Sequence, residues 1–187
     1  MSQTLYISGV PGIGKTACVF EVAKKMSEEV IGNKFKFIYV NALKLKQPSF
    51  YFKDLFQKIT GIKETHKHSL SYLERFFKTG KLPKHITKSL TKKELEETQK
   101  VLIICIDEVD YLYTKNQEII YNIFDWAHYK KARIATLCIA NTIDFPERLM
   151  PKIVSRMGNR RLTFKTYTGK QIEEIVAERL KTISLFE

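Results

Sequence analysis

LYISGVPGIGKTACVF, residues Leu5 to Phe20, decides the fold. Thr4 to Ser8 reads as a short apolar strand that runs straight into glycines. From Thr16 to Met26 apolar residues return at helical spacing, with Ala17, Phe20 and Ala23 beside Val19, Val22 and Met26. Between them Gly9, Gly14, Lys15 and Thr16 satisfy G-x-x-x-x-G-K-[ST] in the strand, loop and helix context that the pattern requires. The run Gly9, Val10, Pro11, Gly12, Ile13 and Gly14 can wrap so that backbone N–H groups point inward. The helix start at Lys15, Thr16 and Ala17 adds the positive end of a dipole. Lys15 is placed to reach the outer phosphates of a nucleotide, and Thr16 offers a hydroxyl to Mg²⁺.

The rest of the chain supplies a frame for this loop. Phe35 to Asn41 reads as a second strand, and Pro48 opens a helix carrying Phe52, Leu55, Phe56 and Ile59 on one face, which Gly61 stops. A helix over about Ser69 to Lys78 leads into a lysine-rich stretch around Gly80, Pro83 and Thr91 that reads as a mobile surface loop. VLIICI, Val101 to Ile106, is continuously apolar, as a central parallel strand covered on both faces requires. A helix from Gln117 to Tyr129, a strand from Arg133 to Ala140, a short helix at Pro146 and a strand from Arg161 to Phe164 follow. Thr168 and Gln171 form a capping box for a last helix through Leu180. This alternation predicts an α/β fold with a mainly parallel sheet.

The buried strand at Val101 ends in Asp107 and Glu108. A carboxylate at the C-terminal edge of an α/β sheet suits a magnesium contact, which assigns Asp107 to the metal beside Thr16. A glutamate directly after it can polarise a water for attack on the γ-phosphate, so Glu108 marks hydrolysis rather than group transfer. Asn141 ends the next apolar strand, where its amide could hold the attacking water or the γ-phosphate. Lys15, Glu108 and Asn141 are thus the candidate catalytic residues. Guanine recognition would need Asn-Lys-x-Asp; Asn33-Lys34-Phe35-Lys36 has lysine in the last place, so ATP is the expected nucleotide.

The net charge is +12. It suits either a negatively charged partner or a lysine-solubilised surface. Arg75 to Lys100 holds eight Lys or Arg against three Glu, while Lys152 to Lys170 holds six and no acid. The second run falls beside the candidate site. The longest purely apolar run is far too short to cross a bilayer, and the first residues lack the features of a secretory signal, so a soluble intracellular protein with no membrane partner is expected. Cys18, Cys105 and Cys138 form no CxxC pair and read as reduced, buried thiols. His66 and His68 read as solvated loop residues.

GVPGIGKT, LIICIDEVDYL, IYNIFDW, LCIANTIDFPERL and SRMG, in this order and spacing, resemble the AAA+ ATPase core of the replication initiators, and within them the large subunits of eukaryotic origin recognition complexes. The resemblance runs from Leu5 to about Leu180. It implies a five-stranded parallel sheet of order 5-1-4-3-2 flanked by helices, an AAA+ domain over residues 1–167, and the first helix of a truncated helical lid over 168–187. It implies ATP and Mg²⁺ held between neighbouring subunits, with the other origin recognition complex subunits, double-stranded DNA and replication licensing factors as partners in the nucleus. Asn141 becomes the first sensor. Arg156 matches a position that can reach a neighbouring subunit's site as an arginine finger, with Arg160 and Arg161 as competitors.

The helix after Pro48 falls where initiators carry an insertion that touches DNA. Its apolar stripe reads as core packing, leaving Lys44, Lys46 and Lys53 as candidate phosphate contacts. Initiators also carry an adenine-side segment before the first strand, a second sensor and a winged-helix domain, so an excised fragment is expected here. An interaction module with little hydrolysis stays open as an alternative. A small-molecule kinase is disfavoured by the Asp-Glu pair and the lack of an acceptor motif.

Overall fold

A computed structural model describes residues 4–29 and 34–183. Asn33 of the near-guanine motif and the end of the expected lid segment, 184–187, lie outside the described residues. In chain order the elements are β1 (Thr4–Ser8), α1 (Lys15–Glu28), β2 (Phe35–Asn41), α2 (Tyr51–Thr60), α3 (His66–Thr79), α4 (Lys84–Ser89), α5 (Lys92–Gln99) and β3 (Val101–Asp107). These are followed by α6 (Glu118–Trp126), β4 (Ile134–Ala140), α7 (Pro151–Met157), β5 (Arg161–Thr163) and α8 (Gly169–Ile183).

The five strands form one parallel sheet of order β2-β3-β4-β1-β5, the expected order read from its other edge. Right-handed crossovers explain the layering. The step from β1 to β2 runs one way across the sheet and every later step runs back, which sends α1 to one face and the later helices to the other.

That second face carries the main core. Ile38, Val40, Leu102, Ile104 and Ile106 of the strands pack there against α2, α3, α6 and α7. The stripe Phe52, Leu55, Phe56 and Ile59 is wholly buried, as its helical spacing predicts. Phe52 and Phe77 both lean on Trp126, with ring centroids 5.5 and 4.9 Å apart. On the α1 face Ile7, Val19, Cys105 and Ile139 make a much smaller cluster. A lone helix cannot cover five strands. The apolar face expected of α1 is therefore only partly buried: Val19 is inside, while Phe20 and Val22 are exposed.

Three readings need correction. The lysine-rich stretch after Gly80 is not a mobile loop but two helices, α4 and α5. Thr91 and Glu94 close a full capping box on α5, satisfying its first N–H groups in spite of the charged composition. His66 and His68 lie in the first turn of α3, which starts earlier than expected because Thr65 caps it. There the His66 ring meets Phe52 and the His68 ring stacks on Tyr72, so neither is simply a solvated loop residue. Cys18 is exposed, because it sits on the uncovered side of α1. The short helix expected at Pro146 is present as a single 3₁₀ turn over Pro146–Arg148, and α7 follows it from Pro151.

Cys105 and Cys138 are buried, and burial pushes both thiols up, Cys105 to about 12. A thiol reagent is expected to modify Cys18 alone in the native chain and all three cysteines after unfolding, as counted by mass spectrometry. Phe52→Ala should cost about 3–5 kcal/mol in a urea titration, the price of a cavity beside Trp126, whereas a stripe free to contact DNA would lose little.

Candidate nucleotide site

All the candidate catalytic residues meet at the C-terminal edge of the sheet, where β1, β3 and β4 lie side by side. The loop after β1 turns sharply at Gly9, whose φ is 150°. A Cβ there would stand 2.6 Å from Ile13 Cδ1 and 2.8 Å from the Phe164 carbonyl, so both conformation and space demand glycine. Gly14 takes the left-handed conformation and caps α1, so the chain enters the helix at Lys15. Val10, Pro11, Gly12 and Ala17 are exposed on this loop and first turn, while Ile13 is tucked beneath.

Lys15 is 5% exposed. Its ammonium donates to the Gly9 carbonyl at 2.8 Å, the Val10 carbonyl at 3.0 Å and Asn141 Oδ1 at 3.0 Å. Among the described residues no carboxylate pairs with it. A cation so buried with only neutral acceptors is costly unless an anion completes the site. The donor set therefore fits a phosphate.

Asn141 connects this cation to Glu108. Its Oδ1 accepts from Lys15 and its Nδ2 donates to Glu108 Oε2 at 2.5 Å, which fixes the orientation of the amide. Glu108 has φ 56°, unusual for a residue with a side chain, and this backbone turn at the end of β3 swings its carboxylate toward β4. Asp107, also 5% exposed, accepts from Thr16 Oγ1 at 3.1 Å through Oδ2 and from the Glu108 N–H at 3.1 Å through Oδ1. One buried carboxylate facing one hydroxyl is a donor set that suits Mg²⁺, which keeps several waters and takes its remaining ligands from phosphates. Thr16 and Asp107 are the residues that would hold it.

Two contributors escaped the sequence reading. Tyr39 OH donates to Asp107 Oδ2 at 2.7 Å, and burial first, then this bond, pushes the phenol up to about 12. Tyr167 reaches over from the segment before α8 and donates to the Ile13 carbonyl at 3.0 Å, clamping the loop from above. The period of β2 could have flagged Tyr39 as lying on the same face as Asn41; nothing in the sequence marks Tyr167.

The remaining candidates lie outside this constellation. Arg156 of α7 donates from Nε to Asp125 at 2.6 Å and from Nη1 to the Lys152 carbonyl, with its guanidinium 4.7 Å from the Tyr121 ring centre. Arg161 pairs with Glu147 at 2.6 Å, and Arg160 is exposed. Lys44 and Lys46 are exposed between β2 and α2, and Lys53 lies 5.9 Å from the Phe50 ring centre. A separate cationic cavity of about 400 Å³, lined in part by Lys81, Lys100, Lys130, Lys131 and Arg133, opens at the opposite edge of the sheet, near the starts of β3 and β4.

Sheet order, loop and acid pair together define a P-loop ATPase fold of the AAA+ type, and the comparisons agree. The chain belongs to the AAA family, ATPases associated with various cellular activities, whose model matches residues 5–164. It is 39% identical over 187 residues to origin recognition complex subunit 1 of Homo sapiens, covering 98% of this chain and 20% of that protein. It is 38% identical over 190 residues to origin of replication complex subunit 1 of Oryza sativa, covering 100% of this chain and 22% of that one. The chain thus spans about a fifth of the length of these curated relatives. Among solved structures it matches one of Drosophila ORC bound to DNA, with TM-score 0.76, 30% identity, and 95% of this chain and 40% of that chain covered. The Aeropyrum pernix ORC1 protein in complex with DNA shares the fold, with TM-score 0.71, 23% identity, and 96% and 44% covered.

Gly9→Ala should force the loop away from Phe164 and strain the backbone, at a cost of about 1–3 kcal/mol. Thermal melting would check it. An unchanged midpoint would show that the loop relaxes without penalty.

Proposed function

We propose that this chain is the ATP-binding and ATP-hydrolysing AAA+ module of a replication initiator, the large subunit of a nuclear origin recognition complex. The observation that carries this reading is the continuous chain from Lys15 through Asn141 to Glu108, set beside the Thr16 and Asp107 pair. Each residue has a distinct task. Inward-facing N–H groups of the loop and the Lys15 ammonium bind the β and γ phosphates, giving up the carbonyl contacts of Gly9 and Val10. Glu108 accepts the proton of a water as its oxygen attacks the γ-phosphorus, while the bond to the β-phosphate oxygen breaks and leaves ADP and phosphate. Asn141, held between Lys15 and Glu108, keeps general base and phosphate-binding cation in a fixed relation. Magnesium, when bound, neutralises charge on the phosphate oxygens.

Such a module works as an assembly switch. A γ-phosphate touched by two subunits favours the assembled state by its differential affinity, and hydrolysis removes that preference. Arg156 is the proposed group that reaches a neighbouring subunit. Its pairing with Asp125 and its place over Tyr121 support a guanidinium already held in position. Lys44, Lys46 and Lys53 are the proposed contacts to double-stranded DNA, acting on phosphates and so weakening as salt rises. The other origin recognition complex subunits and the replication licensing factors are the proposed protein partners. The likeness to subunit 1 proteins supports this choice of complex over other AAA assemblies.

Lys15→Ala is expected to weaken ATP binding by about 100-fold, through loss of charge-assisted contacts. Glu108→Gln should leave the ATP dissociation constant within about threefold and lower turnover in the assembled complex by about 10²–10⁴. Calorimetric titration and phosphate release measure the two. Equal loss of binding in both variants would contradict the role of Glu108.

A further inference from the structure

We infer that Tyr39 and Asn41 extend the magnesium site outward, with Tyr39 as the positioning residue that fixes the Asp107 carboxylate. The inference rests on the nucleotide reading of the site proposed above.

Strand β2 runs beside β3 in a register that sets Asn41 opposite Asp107 and Tyr39 opposite Cys105. Being two residues apart, Tyr39 and Asn41 share one face of the strand. Tyr39 OH donates to Asp107 Oδ2 at 2.7 Å, the oxygen that also accepts from Thr16 at 3.1 Å, while Asn41 Nδ2 donates to Tyr39 OH at 3.3 Å. The phenol is held from its other side. The Phe20 ring lies 4.8 Å away, on the helix that carries Lys15 and Thr16, so α1 and β2 grip the same aromatic side chain.

Acceptor counting shows what this achieves. An ionised carboxylate offers about four lone-pair sites. Thr16 and Tyr39 take two on Oδ2, and the Glu108 N–H takes one on Oδ1. One acceptor site remains on Oδ1. The amide of Asn41 adds another: its Oδ1 is buried with no partner among the described residues. Magnesium keeps several of its waters, and those waters are strong donors that need such acceptors. Saturating Oδ2 with a fixed phenol therefore leaves an unfilled acceptor site on Oδ1 of Asp107, the carboxylate that Thr16 touches, and a further unfilled acceptor on Oδ1 of Asn41, joined to it through Tyr39. The carboxylate is oriented by the fold, with no reorganisation left for the moment of metal binding.

Tyr39→Phe keeps the ring and its packing on Phe20 but removes the hydroxyl. The test is the ATP dissociation constant of the 187-residue chain, wild type and variant, in excess Mg²⁺ and in EDTA. In Tyr39→Phe the metal-free affinity should stay within about twofold, while the free chain melts a few degrees lower because the buried Asp107 carboxylate loses a donor. The gain in affinity on adding magnesium should fall by about tenfold, the scale of a hydrogen bond to a charged group. Asn41→Ala should lower that gain in the same direction by about threefold. The Mn²⁺ paramagnetic resonance spectrum of the ATP complex should broaden in Tyr39→Phe as the outer coordination loosens. An equal magnesium gain in wild type and Tyr39→Phe, or an equal fall with and without metal, would overturn the inference alone. Failure of the wild-type chain to bind ATP under either condition would overturn the nucleotide reading and the inference with it.

Discussion

A buried lysine that no carboxylate pairs among the described residues sets the terms for everything around it. Lys15 sits at the first position of α1, 5% exposed, and among the described residues its ammonium donates to two carbonyls of its own loop and to the Asn141 amide. Holding a full charge there needs rigid neutral acceptors. The loop supplies them by folding back through Gly9, where any side chain would strike the Phe164 backbone. The sheet supplies the third by ending β4 next to β1, so that Asn141 follows directly from Ala140, which is paired with Ser8.

The same parallel register delivers the acids. Strand β3 is buried on both sides and ends on Asp107, one strand over from the end of β4. The unusual φ of Glu108 then turns one carboxylate toward the lysine network and leaves the other facing Thr16. Two neighbouring carboxylates thereby face different partners, Glu108 the Asn141 amide and Asp107 the Thr16 and Tyr39 hydroxyls. Around this edge the layers are unequal, with a deep core under α2, α3, α6 and α7 and a thin one under α1. The thin side suits a helix whose first turn must answer to a ligand rather than to packing.

Much of this was legible in the sequence, and the limits have physical causes. The phosphate loop, the acid pair and Asn141 could be read because strand ends in an α/β sheet are sites of known chemistry, and each strand announced itself by an apolar run. The helices α4 and α5 were missed because lysines mask their apolar residues, and the signal lay in the Thr91 and Glu94 cap instead. The pairing of Arg156 with Asp125 spans 31 positions and joins two helices, so no local pattern could show it. Tyr39 reads as an ordinary strand former; only the register of β2 against β3 brings its hydroxyl onto the Asp107 carboxylate. Tyr167 over Ile13 is equally a product of tertiary folding.

ATP uptake at the loop from Gly9 to Thr16 has a rival within the molecule, the cationic concavity at the far edge of the sheet. Backbone amide chemical shifts, followed by NMR while ATP and Mg²⁺ are added, test this most directly. The largest changes should fall on Gly12 to Thr16, with Glu108 and Asn141 moving in step along the same binding curve. Changes centred instead on Lys81, Lys100, Lys130 and Arg133, with the loop amides still, would contradict it.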